Sequence, residues 1–417
     1  MVLHLTTAER AVLSGQQGTA GDRMALEMVT DAARILGADR LIEIQSSHID
    51  GCLYHGASGV LYCEALAAGG ARVKVPATTN VGALNLLNPD QCRLDGAQRA
   101  LAYRLMVAHE RMGCAPSWTC APYQAGARPG FGTQIAWGES NAVAFANSVL
   151  GARTNRYGDF LDIACAIAGR APCSGLHLTE NRYAEQVIDV SAVAARFGAD
   201  RSWYPVLGAL IGRLTGGSVA AVDCLAGPVA EDDLKALCAG AASTGAVALI
   251  HIVGVTPEAP DLDSAIGHRP AHEVVMVNAA MLDEARAALS LAPDGPIDSV
   301  ALGSPHFSVD ECREVLRLAE GQPFVVPMYI CLGRHTLRAL EAEGADQALT
   351  ALGVVLVVDT CVVVTPILPA QPGVMVTNSA KFAHYAAGNT GHLPVFGTLH
   401  ECVRSAKAGT VIRDGVR

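Results

Sequence analysis

The residues best suited to chemistry in this 417-residue chain follow short apolar runs. Gly303-Ser304-Pro305-His306-Phe307-Ser308 comes after Ser299–Leu302, Asp359-Thr360-Cys361 after Val354–Val358, and Thr377-Asn378-Ser379-Ala380-Lys381 after Gly373–Val376. In open α/β sheets ligands collect beyond the carboxyl ends of strands, so these three ends are expected to line one cleft. Asn378 and Ser379 stand where a helix should begin. Their hydroxyl and backbone N–H groups, with the charge of Lys381, would bind a carboxylate or a phosphate. The plainer alternative makes Ser379 an N-cap and Lys381 a solvated helix residue.

Two further clusters lie upstream. Trp118-Thr119-Cys120-Ala121-Pro122-Tyr123 reads as a Pro-bounded loop leading through a Gly-rich stretch to Trp137-Gly138-Glu139-Ser140-Asn141. A thiolate at Cys120 and another at Cys361 could hold iron, whereas Cys165, Cys224, Cys238, Cys312 and Cys331 read as small buried packing groups. Ser46-Ser47-His48-Ile49-Asp50-Gly51-Cys52 places hydroxyl, imidazole, carboxylate and thiol within seven residues. It is either a polar pocket wall or a turn at Asp50-Gly51 with His48 satisfied in the interior.

The elements that must position these groups alternate between strand and helix. Thr6-x-x-Glu9 and Ser308-x-x-Glu311 are capping boxes, and helices are predicted over Asp22–Leu36, Gly59–Ala68 and Gln91–Met112. Strands are predicted at Arg40–Ile44, Arg72–Val75, Val219–Val222, Ala246–Val253, Ser299–Leu302, Phe324–Met328, Val354–Val358 and Gly373–Val376. Short apolar strands followed by helices suit sheets buried on both faces, hence an α/β fold of layered units with mostly parallel sheets and a cleft at the strand carboxyl ends. An internal boundary is placed near 176–216, and Thr256–Asp261 is expected to be an exposed loop.

Composition narrows the function. The formal net charge of -10, with no basic cluster, argues against a nucleic-acid partner. Met1–Arg10 has no basic segment ahead of an apolar run, and the longest apolar run ends at Asp359, so the chain is expected to be cytoplasmic with no membrane partner. Thirteen cysteines in such a chain are expected to be reduced. CxxC, HExxH, the P-loop, GxGxxG and GxSxG are all missing, so any metal must be held by dispersed ligands.

Over essentially its whole length the chain resembles the large catalytic component of the aconitase X family. The resemblance rests on an ordered set: Ser47-His48-Ile49-Asp50-Gly51, Val73-Lys74-Val75-Pro76, Thr119-Cys120-Ala121-Pro122-Tyr123, the run Ile135 to Val143, the run Asn147 to Arg156, Gly175-Leu176-His177-Leu178, Gly303-Ser304-Pro305-His306, Asp359-Thr360-Cys361 and Thr377-Asn378-Ser379-Ala380-Lys381.

The resemblance implies an aconitase-superfamily fold and an iron–sulfur cluster acting as Lewis acid. It also implies dehydration of a small hydroxy acid, either cis-3-hydroxy-L-proline or mevalonate 5-phosphate. In the mevalonate-type pattern a cysteine stands where this chain has Ser304, and serves with those matching Cys120 and Cys361 as a cluster ligand. A serine oxygen is a poor substitute for a soft thiolate, which favours the hydroxyproline reaction and a [2Fe–2S] cluster over [3Fe–4S], [4Fe–4S] or a mononuclear iron. A nearby thiol such as Cys52 could complete the site, or the centre could be iron alone. Lys381, Asn378 and Ser379 would bind the carboxylate, with Ser47, Asp50, Gly51 and Tyr123 as further substrate contacts. Ser379 or a residue of Ser47–Asp50, His48 included, would take the α proton. His306 and Glu139 would protonate the departing hydroxide or orient ligands. The family's large component works with a small swivelling domain, which is expected here as a separate small subunit. Readings as a phosphomevalonate dehydratase or as a non-catalytic iron–sulfur scaffold stand as alternatives.

Overall fold

The computed structural model describes residues 2–225 and 227–414. The chain divides into two compact units: Met1–Leu84 with Leu94–Tyr183, and Asn85–Arg93 with Ala184–Arg417. Both mix helices with short, largely parallel strands, in agreement with the expected α/β class.

The first unit opens with helices Thr7–Leu13 and Ala20–Ile35, each started by a complete capping box, at Thr6/Glu9 and Thr19/Asp22. Strands β1 (Leu41–Glu43), β2 (Ser47–Ile49), β3 (Ala77–Thr79), β4 (Ala136–Trp137) and β5 (Arg170–Pro172) follow along the chain. β1 and β5 pair antiparallel, and β2 lies between β3 and β4 in a parallel sheet. A core of Leu26, Val29, Ile49, Leu66, Leu105, Ile163 and Ile167 backs them.

The second unit holds two sheets. β6 (Gln186–Asp189), β7 (Ala220–Asp223), β8 (Ile250–Ile252) and β9 (Glu273–Met276) are all parallel in the order β8-β7-β6-β9. β10 (Ser299–Phe307), β11 (Met328–Leu332), β12 (Val354–Val357), β13 (Val374–Thr377) and β14 (Leu393–Phe396) are parallel in the order β12-β11-β10-β13-β14. Every residue of β10 and β11 is buried, which is why the start of β10, Ser299–Leu302, reads as an apolar run without alternation. Between the sheets' helices, Trp203–Thr215 and Glu231–Gly245 approach backbone to backbone. A methyl placed on Gly245 would lie 1.9 Å from the Gly212 carbonyl oxygen, so only glycine permits that approach.

Three predicted boundaries are corrected. Arg72–Val75 is not a strand: Val73 and Lys74 donate to the Met112 and Ala166 carbonyls as irregular chain, and the strand forms beyond Pro76 at β3. The helix predicted from Gln91 starts at Gly96, where Asp95 caps it, because Asn85–Arg93 belongs to the second unit. The strand predicted at Phe324–Met328 is β11, four residues later, since Pro327 cannot donate to a ladder. Among the described residues, no helix is long and apolar enough to cross a membrane.

Candidate active site at the strand ends

In the second unit, β10, β11, β12 and β13 are neighbours running the same way, so their carboxyl ends share one edge. Asp359–Cys361 and Asn378–Lys381 follow β12 and β13 as expected, whereas Gly303–Phe307, expected to come after its strand, forms the second half of β10 itself, where the pairing with β11 is irregular. Gly303 has φ 88°, and a methyl on it would lie 2.1 Å from the Cys331 carbonyl oxygen. Glycine thus lets the middle of β10, at the irregularity that follows Leu302, press against the end of β11 just before Ser304. Ser304 is buried, and its carbonyl accepts from the Ser379 hydroxyl. Ser379 is also the N-cap of helix Ala380–Thr390, accepting from Phe382 N–H at 3.0 Å. Its oxygen is therefore engaged in positioning the helix start against Ser304, with half-buried Asn378 immediately before it.

His306 is fully buried, and its Nε2 lies 3.3 Å from the Thr360 carbonyl, which ties β10 to the loop carrying Cys361. That loop is held twice more. Thr360 and Thr365 share a hydroxyl bond of 2.6 Å, and Asp359, at φ 65°, is gripped by Arg334. Leu86, from the early segment that joins this unit, donates its N–H to Asp359 Oδ2 at 3.2 Å. Cys361 itself is buried, and its thiol is drawn below the ordinary cysteine range. The thiol of Cys331 donates to it, as do the Val363 N–H and the Ser304 hydroxyl, and the charge of Lys381 adds to them against the opposing effect of burial. A cysteine in such surroundings is disposed to be a thiolate, the form that binds metal.

A cavity of about 30 Å³ beside these strand ends is lined by Lys235, Ser304, Pro305, Glu311, Asn378 and Ser379. Lys235, on helix Glu231–Gly245, is fully buried. Burial opposes its charge, but Glu311 and Asp232 outweigh it and hold its pKa above the usual value. Nζ lies 2.8 Å from Asp232 Oδ1, contacts Glu311 Oε2, and donates to the His306 carbonyl at 3.4 Å. Glu311 is at once the capping-box residue of helix Val309–Ala319 and the partner of this buried lysine.

The first unit arranges its candidates around β2. Ser47 Oγ lies 2.5 Å from the Ala136 carbonyl oxygen, and His48 Nδ1 is 2.8 Å from Thr78 Oγ1. Burial lowers His48 to a pKa of about 4, so its ring is neutral at physiological pH. Asp162 accepts from Asp50 N–H at 2.5 Å and Gly51 N–H at 3.3 Å, and burial, followed by the charge of Asp50, raises it to about 7. Asn80 donates to Asp50 Oδ1. Cys52 donates to the Ile49 and Asn80 carbonyls at 3.3 and 3.2 Å, and burial pushes its thiol far up. Glu139 caps helix Ser140–Ser148 through Ala142 N–H at 2.6 Å. Tyr123 stacks on Phe145 with centroids 3.6 Å apart and accepts from Asn141, which also donates to the carbonyl of buried Cys120.

Three family models cover nearly all of the chain: "Aconitase X first domain" matches residues 2–180, "Aconitase X second domain" 184–287, and "Aconitase X third domain" 297–408. The chain belongs to the aconitase X family. It is 42% identical over 415 residues to a Pseudomonas aeruginosa protein named cis-3-hydroxy-L-proline dehydratase, covering 97% of this chain and 70% of the relative. It is 35% identical to a Methanothermobacter thermautotrophicus protein named phosphomevalonate dehydratase large subunit, covering 93% and 95%. The crystal structure of Thermococcus kodakaraensis aconitase X (holo-form) superposes with a TM-score of 0.86 at 32% identity, covering 97% of this chain and all of that one.

This aconitase X chain thus collects Ser304, His306, Cys361, Asn378, Ser379 and Lys381 in its second unit, while Ser47, His48, Asp50, Gly51, Cys120, Tyr123 and Glu139 belong to its first. Sequence reasoning missed Lys235, Arg334 and Asp162, and read Cys331 as a packing group. Arg334 and Cys331 stand at the end of β11, and placing that strand four residues early hid this position. Lys235 interrupts the apolar run Leu234–Cys238 of a helix, a signal that was available. Among the described residues no three His, Cys, Asp or Glu side chains are grouped for a metal ion. The sulfur donors that do meet are Cys361 and Cys331, with the Ser304 hydroxyl beside them, and a thiol drawn toward thiolate next to Lys381 fits a soft-metal group.

Proposed function

We propose that this chain is the catalytic component of a hydro-lyase that removes water from cis-3-hydroxy-L-proline. The relative at 42% identity bears the name of that dehydratase. The observation that carries the reading is the meeting of Cys361, Ser304 and Lys381 on one edge of the β12-β11-β10-β13 sheet, which joins a soft donor, a hydroxyl in place of a third thiolate, and a cation suited to one carboxylate.

An iron–sulfur group, [2Fe–2S] in preference to a larger cluster or a mononuclear iron, would be held by Cys361 and Ser304, with Cys120 as a further ligand, and would supply the Lewis acid that polarises the substrate hydroxyl. Lys381, Asn378 and the N–H groups opening helix Ala380–Thr390 hold the carboxylate. In this substrate hydroxyl and carboxylate share a ring face, so the α proton lies on the other face and elimination is anti. The proton goes to Ser379 or to a residue of Ser47–Asp50. Ser379 keeps its own proton on the Ser304 carbonyl, which supports Asp50 or the neutral ring of His48. The buried His306, anchored to the Thr360 carbonyl, and Glu139 have the roles of orienting ligands or returning a proton to the departing hydroxide. Ser47, Gly51 and Tyr123 shape the substrate site. The enamine product tautomerises to 1-pyrroline-2-carboxylate without further help.

The phosphomevalonate reaction is the second reading, supported by the relative at 35% identity. Lys235 and Arg334 are already matched by Asp232, Glu311 and Asp359, an arrangement that suits a single carboxylate better than an added phosphate. The relative's name as a large subunit supports a separate small component for this chain too.

Anaerobic turnover of both substrates, with iron and sulfide quantified on the same sample reconstituted with the small component, tests the assignment. Turnover of the hydroxyproline with two irons or fewer is expected. Turnover of the phosphate with a larger cluster would overturn it. Cys361→Ala is expected to abolish iron content and activity together, and a fully active iron-free variant would refute the cluster.

A further inference from the structure

The serine at position 304 leaves a soft donor missing from the edge where the proposed metal group would sit. The sequence offered Cys52 as a replacement, but the structure gives the Cys52 thiol to the Ile49 and Asn80 carbonyls. A different cysteine stands at the edge itself. Cys331 is the penultimate residue of β11, which lies directly between β10, bearing Ser304, and β12, whose chain runs on to Cys361.

Three observations place its thiol. The register sets Cys331 against Val357, the last residue of β12 and four before Cys361. The close approach at Gly303 brings the β10 backbone within contact of the Cys331 backbone, one residue before Ser304. Finally, the thiols of Cys331 and Cys361 are hydrogen-bonded, with the Ser304 hydroxyl also on Cys361. Cys331 is fully buried, as packing cysteines are, yet the core cysteines Cys312 and Cys402 face Glu311 and Glu401 as their nearest ionisable influence rather than another thiol.

We propose that Cys331 is an additional sulfur ligand of the iron–sulfur group, taking the part that Ser304 cannot. This rests on the reading of the chain as an iron–sulfur hydro-lyase and deepens it by naming a donor. Thiolate sulfur binds iron far better than a serine oxygen, and a [2Fe–2S] group ordinarily takes four cysteine ligands. Two thiols on adjacent strand ends with the Ser304 hydroxyl on Cys361 approach that set, whereas Cys361 and Ser304 alone leave it short in this unit.

The full chain is reconstituted anaerobically with ferrous iron and sulfide as wild type, Cys331→Ala, Cys331→Ser and the double variant Cys331→Ala with Ser304→Cys. Iron and acid-labile sulfide per chain, the visible spectrum, and the rate of iron loss to a chelator are read, with circular dichroism to verify folding. Both single variants are expected to lose iron to the chelator about tenfold faster or more, since even partners that only support a ligand are worth about 10–100-fold in metal affinity. The double variant, which returns a thiol to the neighbouring strand end, is expected to recover retention. Folded single variants with wild-type iron content, spectrum and chelator kinetics would show that Cys331 is packing and overturn the inference while leaving the cluster intact. Wild type that takes up no iron would overturn the cluster reading itself, and the inference with it.

Discussion

Arg334 grips Asp359 through two hydrogen bonds of 2.6 and 2.8 Å, and Asp359 is fully buried in a left-handed backbone conformation, φ 65°, two residues before Cys361. A non-glycine residue with positive φ persists only where its surroundings over-determine it. Here the surroundings are a forked guanidinium and the Leu86 N–H. The pair therefore sets the direction in which the chain delivers Cys361.

Removing the guanidinium should leave a buried carboxylate uncompensated. Arg334→Gln is expected to destabilise the fold by about 3–5 kcal/mol. Arg334→Lys keeps the charge but not the fork and is expected to cost less in stability. Denaturant midpoints of the two variants check this order, and equal stability of Arg334→Gln and wild type would dismiss the clamp.

Lys235 presents the complementary case of a buried cation shared by two carboxylates. Lys235→Met is expected to lose about 3–5 kcal/mol, because Asp232 and Glu311 then face each other unneutralised. Adding Glu311→Gln to that variant removes one of the two charges and is expected to return a large part of the loss. Thermal unfolding of the single and double variants measures the recovery; a double variant less stable than the single one would contradict the ion-triad account.

Asp162 makes stability depend on pH near neutrality. Its folded pKa of about 7 lies above the unfolded value of 3.8, so the folded state binds the extra proton between them. Stability from this group is full below pH 3.8 and is lost as pH rises through 7. Asp162→Asn is expected to flatten that part of the profile. Chemical denaturation at pH 5, 7 and 8.5 is the check, and an unchanged slope in the variant would assign the effect elsewhere.

Ser304→Cys adds a thiolate in the second half of β10, against Cys361. The expected outcome is more iron per chain than in wild type, moving from two toward three irons, since a soft ligand replaces a hydroxyl. Iron and sulfide analysis with electron paramagnetic resonance reads it directly. No gain in iron would mean that position 304 does not face the metal group.

Cys52→Ser is expected to keep wild-type iron content. A hydroxyl can donate to the same Ile49 and Asn80 carbonyls, and the thiol there is buried away from thiolate character. Iron loss in this variant with the fold preserved would return Cys52 to the list of ligands.

Much of the α/β architecture was legible because short apolar runs closed by Gly, Pro or Asp mark buried parallel strands, and capping boxes at Thr6 and Ser308 fix helix starts through local hydrogen bonds. Strands of three or four residues such as β2, β6 and β9 escaped, since so short a run carries no periodicity.

The amino-acid sequence by itself determined the α/β class, the family resemblance and the three polar strand ends, because each depends on residue types within a few positions of one another. The tertiary structure alone decided their partners. It put Arg334 on Asp359, Lys235 beneath His306, Asp162 on the backbone of Asp50 and Gly51, and the Cys331 thiol on that of Cys361. These pairings join residues from 25 to 112 positions apart along the chain. Sheet order and register set such distances, and no local pattern encodes them.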